Sequence, residues 1–285
     1  MKIRKREFLI GDNEQEGLFI LTKKMEEIQK KDDFIFIGNS SLIDFKKDEF
    51  KYISTIYDKK NFDIFSGLNK EELSTLFSNA IDSSFHINKR IINMCFDIVN
   101  ELKLAPIEIE KFKEIFVLSN LENLQSSLKE KNTKNAKKII NDIEYFTGKD
   151  LEFYSVYIDK IYSFLNELSI LNLGLLLNNT PNQLLRKNKI YIHTKSYLLK
   201  SIIFDLLLIK KRKSYLIIEN INRMSKMQKT MYKDINKIDF ILNQHFLITS
   251  EYEDIFTILI KKEIFFKGKK TKIFYLGEKN EEIYK

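Results

Sequence analysis

Apolar residues in this chain change their spacing twice. Toward both ends they gather into short runs rich in isoleucine, leucine, phenylalanine and tyrosine, at 8–10, 34–37, 189–193, 215–218, 245–249, 263–266 and 272–276. β-branched and aromatic residues in runs of this length favour strands. Several runs stay apolar at successive positions instead of alternating, as strands covered on both faces do. Helical patterns separate the runs, so the order predicts a parallel sheet with helices on its faces, an α/β architecture.

From 69 to about 177 the strand signal disappears and apolar residues return at helical spacing. Leu73, Leu76, Phe77, Ala80 and Ile81 form one such set, and Ile91, Met94, Cys95, Ile98, Val99 and Leu102 form the next. Asn69 followed by Glu72 has the form of a capping box, and Thr133 is placed to cap the helix that carries Ile139, Ile140 and Ile143. Residues 151–177 read mostly as one long amphipathic helix, closed soon afterwards by Pro181. The expectation is an all-helical module inserted between the second and third strands, with bounds 1–67, 68–182 and 183–285.

Composition refines this picture only slightly. The chain has 285 residues, 44% hydrophobic and 31% charged, with 2 prolines and 8 glycines, which predicts packed domains with little linker. A net charge of +8 permits a nucleic-acid or anionic-membrane partner, although 40 acidic residues are interspersed with 48 basic ones. Cys95 is the only cysteine, so an intrachain disulfide and a zinc knuckle are both excluded, and a reducing, cytoplasmic setting is expected. The apolar run near the N-terminus, Phe8 to Ile10, is too short for a signal peptide. The most apolar stretch, 197–209, is interrupted by Lys200 and Asp205, so no membrane span is expected.

Three segments offer candidate chemistry. The first is the loop GDNEQEG, framed by Gly11 and Gly17 after the first strand. A phosphate loop needs a Lys for the β- and γ-phosphates and a Ser or Thr for magnesium, and Leu18 and Phe19 stand in those places. Asp12, Glu14 and Glu16 would add like charge beside a phosphate. The second is LIIEN, where Glu219 and Asn220 close an apolar strand that in a nucleotide hydrolase would end in Asp and Glu. The third is FLITS, with Thr249 and Ser250 placed to sense a γ-phosphate. Each also reads as an ordinary strand end followed by a polar turn.

The remaining candidates are weaker in pattern. Lys210, Lys211, Arg212 and Lys213 form a basic run that would contact nucleic acid or simply be the solvated end of a helix, where the macrodipole favours cations. His86, His193 and His245 lack metal-ligand spacing, so no metal site is expected.

The order of these segments resembles the nucleotide-binding domain of type IV coupling proteins, the FtsK/HerA-like motors of conjugation and type IV secretion. The similarity rests on the glycine-turn strand, the helical insertion, LIIEN and FLITS. It rests also on FDIFSGLNKEELSTLFSNAI at 62–81 and NKIYIHTKSYLLKSIIFDLLLIKKRKSYLIIENINRM at 188–224. The resemblance implies a P-loop NTPase-like, mostly parallel sheet with a large all-α insertion domain. It also implies protein partners in a multisubunit machine, an active ATPase paralogue among them, with DNA as a further partner.

The departures bear on activity. The phosphate loop between Gly11 and Phe19 lacks Lys and Ser/Thr, Glu219 stands for Asp, Asn220 for the catalytic Glu, and Ser250 for the family's Gln. The resemblance therefore implies a pseudo-ATPase with no catalytic residues and no ATP or magnesium cofactor, without the membrane-spanning segments common in the family. Two other readings remain: a degenerate AAA+ subunit of clamp-loader type, and a divergent active NTPase whose Lys comes from elsewhere.

Overall fold

A computed structural model of the chain describes residues 6–11, 34–38, 51–54, 63–81, 85–148, 151–171, 173–182, 189–210, 215–218, 239–244 and 271–276. The chain divides into two compact units, one formed by Met1–Asp58 with Leu184–Lys285, the other by Lys59–Gln183.

The first unit carries a seven-stranded sheet: β1 (Arg6–Gly11), β2 (Phe34–Gly38), β3 (Lys51–Ser54), β6 (Ile190–His193), β7 (Tyr215–Ile218), β8 (Asp239–Gln244) and β9 (Thr271–Leu276). The spatial order is β3-β6-β2-β7-β8-β1-β9, and every pairing is parallel. The continuous apolar runs have the expected consequence in the strands whose side chains are described. Ile35, Phe36 and Ile37 of β2 and Ile190, Tyr191 and Ile192 of β6 are all buried, so both faces are covered. Phe36 and Tyr191 occupy the same register position, and their rings stack 4.9 Å apart.

Two strands differ from the sequence expectation. β3 and β8 were not anticipated, and the strands expected at 245–249 and 263–266 lie outside the described residues. β8 begins with Asp and ends in Asn-Gln, so its apolar content is only Phe240, Ile241 and Leu242.

After β6 the backbone N–H of Thr194 donates to Gly38 O at 2.9 Å, and the Thr194 hydroxyl accepts from the Ser196 N–H. Ser196 then caps helix α7 (Tyr197–Ile209), its hydroxyl accepting the Leu199 N–H at 3.1 Å. From Leu199 to Leu207 every residue of α7 is buried, including Lys200 and Asp205. An apolar run of helical length with no polar face folds as a core helix.

The second unit is helical: α1 (Lys70–Ile81), α2 (Phe85–Glu101), α3 (Ile109–Glu114), α4 (Leu118–Lys131), α5 (Lys134–Gly148) and α6 (Leu151–Ile170). Both expected caps form. Asn69 Oδ1 accepts the Glu72 N–H at 3.0 Å while Glu72 Oε2 accepts the Asn69 N–H at 3.1 Å, and Thr133 Oγ1 accepts the Ala136 N–H at 2.9 Å. The unit is not purely helical, because β4 (Ile107–Glu108) and β5 (Leu175–Leu176) pair antiparallel. The long helix expected over 151–177 stops at Ile170 for the same reason. Its core is a chain of rings: Phe65 meets Phe77 edge-on at 5.4 Å, Phe77 meets Phe164 at 5.2 Å, and Phe96 stacks on Phe112 at 4.4 Å.

One group breaks the apolar rule inside α2. Asn88 is fully buried, and neither its amide nitrogen nor its carbonyl oxygen has a partner among the described residues. A buried amide without hydrogen bonds costs about 1–3 kcal/mol. Asn88→Leu is therefore expected to raise stability by about 1 kcal/mol in urea denaturation, and a loss of stability would show that the amide is satisfied in solution.

Candidate functional site

Because the sheet is wholly parallel, all strand carboxyl ends lie along one edge: Gly11, Gly38, Ser54, His193, Ile218, Gln244 and Leu276 end their strands there. Ligands of open α/β sheets bind outside this edge where neighbouring connections leave in opposite directions. The strand order meets this condition at β2 and β7, which lead to β3 on one side and β8 on the other, and at β1 and β8, where the sequence candidates begin. The chain leaves β1 toward β2 on one side and leaves β8 toward β9 on the other.

The register fixes which residues meet there. Ile10 of β1 is level with Gln244 of β8 on one side and Tyr275 of β9 on the other. Ile218 of β7 is level with Leu242, which is in turn level with Phe8 of β1. The end of β7 thus stands two strand spacings, about 10 Å, from β1, with β8 between.

Of the candidate residues, Gly11 is the last residue of β1, and Ile218, which precedes Glu219, is the last of β7. Gly17, Glu219, Asn220, Thr249 and Ser250 lie outside the described residues, as do Lys211, Arg212 and Lys213. Lys210 follows α7 half-buried, its backbone N–H donating to Leu206 O at 3.0 Å. The structure also points to a residue the sequence reading passed over. The strand between β1 and β7 ends in Gln244, whose side chain is an amide.

His193 is buried at the end of β6, its ring centroid 6.3 Å from that of Tyr191, and His86 lies exposed at the start of α2. Cys95 is enclosed in α2, where burial pushes its thiol well above the usual range. No three His, Cys, Asp or Glu side chains gather as a cation site among the described residues. No described helix is long and apolar enough to cross a membrane.

The segment FDIFSGLNKEE, part of the sequence resemblance, performs a structural task. Asp63 Oδ1 accepts the Ser66 N–H at 3.1 Å, and its Oδ2 accepts the Ser66 hydroxyl at 2.5 Å and the Asn178 amide at 2.8 Å. Ser66 also pairs with the Thr180 hydroxyl at 2.6 Å, the Gly67 N–H donates to Asn178 O at 2.7 Å, and Asn182 Nδ2 donates to Ile64 O at 2.6 Å. This clasp joins the first and last segments of the helical unit. Lys113 makes a second internal tie, donating to Asn166 Oδ1 at 2.9 Å and to Glu110 Oε2 at 2.5 Å. The bond to Glu110 raises the Lys113 ammonium above its ordinary range, and Glu110 is lowered chiefly by its bond to Lys113.

No family model matches the sequence, and no curated protein matches it. Solved structures do match by shape. The plasmid coupling protein TrwB, in complex with ADP and Mg2+, has a TM-score of 0.58 at 9% identity, over 84% of this chain and 63% of that one. VirB4 of Thermoanaerobacter pseudethanolicus has a TM-score of 0.49 at 9% identity, over 96% of this chain and 78% of that one. The likeness to TrwB gives the chain a type IV coupling protein-like fold, and the chain spans about 63% of the length of TrwB.

Proposed function

We propose that the chain is a catalytically inactive, coupling-protein-like subunit that acts through protein or DNA contacts in a DNA-transfer or secretion machine. The observation that carries this reading is the chemistry available where β1 ends. Gly11 closes the strand at the sheet's ligand-binding edge, yet the loop that follows supplies Leu18 and Phe19 in place of Lys and Ser/Thr. Across the edge, β7 runs out into Glu219 and Asn220, and an amide cannot take a proton from water. Phosphoryl transfer draws its rate from positioning and charge neutralisation, so losing the cation and the water-orienting carboxylate together removes most of the catalysis.

The match to TrwB supports the coupling-protein reading over a clamp-loader one. It covers 84% of this chain, more than the sheet-bearing unit alone could supply, which supports reading part of the helical unit into the likeness. In this reading Gln244 holds the sensor position, and Gly11, Gly17, Glu219 and Asn220 form a vestigial nucleotide site with no bound ATP or magnesium. The subunit works in the cytoplasm beside an active ATPase paralogue.

The test is a calorimetric titration of the purified chain with magnesium-ATP to millimolar concentration, together with phosphate-release kinetics. The expected result is no saturable heat and no release above the blank. Turnover on the order of 1 per second, within the ordinary enzyme range, would overturn the inactive reading. If that turnover vanished in Glu219→Ala, the acidic strand would be identified as its source.

A further inference from the structure

Lysines in the helical unit fall into two groups. Lys70 pairs with Asp97 at 2.7 Å, Lys89 with Glu71 at 3.5 Å, Lys111 with Glu108 at 3.5 Å and Lys113 with Glu110 at 2.5 Å. Lys160 is engaged as well. By contrast Lys103, Lys129, Lys134, Lys137 and Lys138 are all exposed, and none has an ion pair or side-chain hydrogen bond among the described residues.

These free lysines share one end of the unit. Lys129 lies in the last turn of α4, Lys134, Lys137 and Lys138 begin α5, and Lys103 follows α2. Two hydrogen bonds hold the three helix ends together: Lys131 Nζ donates to Glu101 O at 2.5 Å, and Thr133 Oγ1 donates to Glu101 Oε1 at 2.7 Å. Asn132, in the left-handed conformation at φ 49°, turns the chain between α4 and α5. Two carboxylates, Glu101 and Glu130, oppose six lysines there.

We propose that this end of the helical unit is a docking surface for the phosphate backbone of duplex DNA. The choice of DNA rests on the DNA-transfer reading above, while the surface itself rests on the unpaired charge. Gathering like charges without counter-ions is unfavourable, and a polyanion relieves it. Lys134 and Lys138 stand one helical turn apart, about 6 Å along α5, a spacing that lets one helix face address successive phosphates. The neighbouring side chains are those that complete backbone contacts, Asn132, Thr133 and Asn135. Protein interfaces are instead depleted in lysine and anchored by buried aromatic or aliphatic groups. From Lys129 to Lys138 no large apolar side chain is exposed, and Leu104 beside Lys103 is the one exposed large apolar residue next to these lysines.

The test is fluorescence anisotropy of the full chain on a labelled 30-base-pair duplex between 50 and 200 mM salt. It is repeated with Lys129, Lys134, Lys137 and Lys138 all changed to Ala and, as a charge-preserving control, to Arg. The expected result is binding whose log-log salt slope falls by about 3.6 in the Ala variant, roughly 0.9 for each of four lost phosphate contacts. Affinity at 100 mM should fall at least tenfold, the Arg variant should bind like the parent, and circular dichroism should show equal helix content in all three. Unchanged binding by a folded Ala variant would overturn the proposal, as would no binding by the parent. Tenfold tighter binding to an RNA duplex, or capture by anionic vesicles with no binding to DNA, would also overturn it. Failure in any of these ways would leave the magnesium-ATP experiment free to decide the inactive-site reading.

Discussion

Gly174→Ala is expected to destabilise the helical unit by about 4 kcal/mol, enough to unfold a large fraction of a marginally stable domain at 25 °C. Gly174 has φ +91°, a conformation that L side chains rarely adopt and that costs an alanine about 1–2 kcal/mol. A Cβ at this position would also lie 2.7 Å from both the Cα and Oδ1 of Asp63. Relieving that clash means moving the one carboxylate that accepts from the Ser66 N–H, the Ser66 hydroxyl and the Asn178 amide. Hydrogen bonds to a charged acceptor are worth about 1.5–3 kcal/mol each, so disturbing even one adds to the backbone cost. The control is Gly148→Ala at the end of α5, where an added Cβ meets nothing within 4 Å. That variant should match the parent or exceed it slightly. Urea denaturation followed by helical circular dichroism separates the cases. A Gly174→Ala midpoint within the error of the parent would show that the clasp is not under the constraint its geometry implies.

Parts of this arrangement were legible before any coordinates, and the boundary has a physical cause. Local patterns survived folding: Asn69 with Glu72 and Thr133 with Ala136 are satisfied within four residues, so chain sequence alone specifies them. The strands at 34–37 and 190–193 were legible because burial on both faces demands unbroken apolar runs, and 215–218 because its run is unbroken too. β3 escaped because KYIS is short and begins with a charge, and β8 because Asp239, Asn243 and Gln244 bracket its apolar centre. β5 was read as helix, since an apolar run such as 173–177 has no period that separates the two states. The clasp was invisible for a different reason. Asp63 and Asn178 are 115 residues apart, and Ser66 and Thr180 are 114 apart, so no window along the chain contains both partners. The candidate site divides in the same way: Gly11 and Glu219 could be proposed from runs, whereas the place of Gln244 follows only from strand order.

Asp205→Asn is expected to stabilise the chain at neutral and alkaline pH, on the order of 2–3 kcal/mol, and to flatten its pH dependence. Asp205 sits in α7 at 4% exposure, with no hydrogen bond or ion pair among the described residues, and burial pushes its carboxyl well above the usual range. Lys200, the other buried ionisable group of α7, is five residues away, about 140° round the helix, and has its own contact. The sign follows from proton counting. In the unfolded chain Asp205 titrates near the ordinary value of about 3.9. Between that value and the raised one, the folded chain holds a proton that the unfolded chain has released. Stability contributed by this group is therefore complete below about pH 4, falls as pH rises, and is fully lost above the folded value. Asparagine keeps the shape and cannot ionise, so the gain should grow as pH rises and shrink toward pH 4. Denaturant midpoints of parent and variant from pH 5 to 9 provide the check. A parent that gains stability relative to Asp205→Asn as pH rises would mean that the carboxylate is ionised and paired in the folded chain. The apolar character of α7 would then depend on an ion pair rather than on a retained proton.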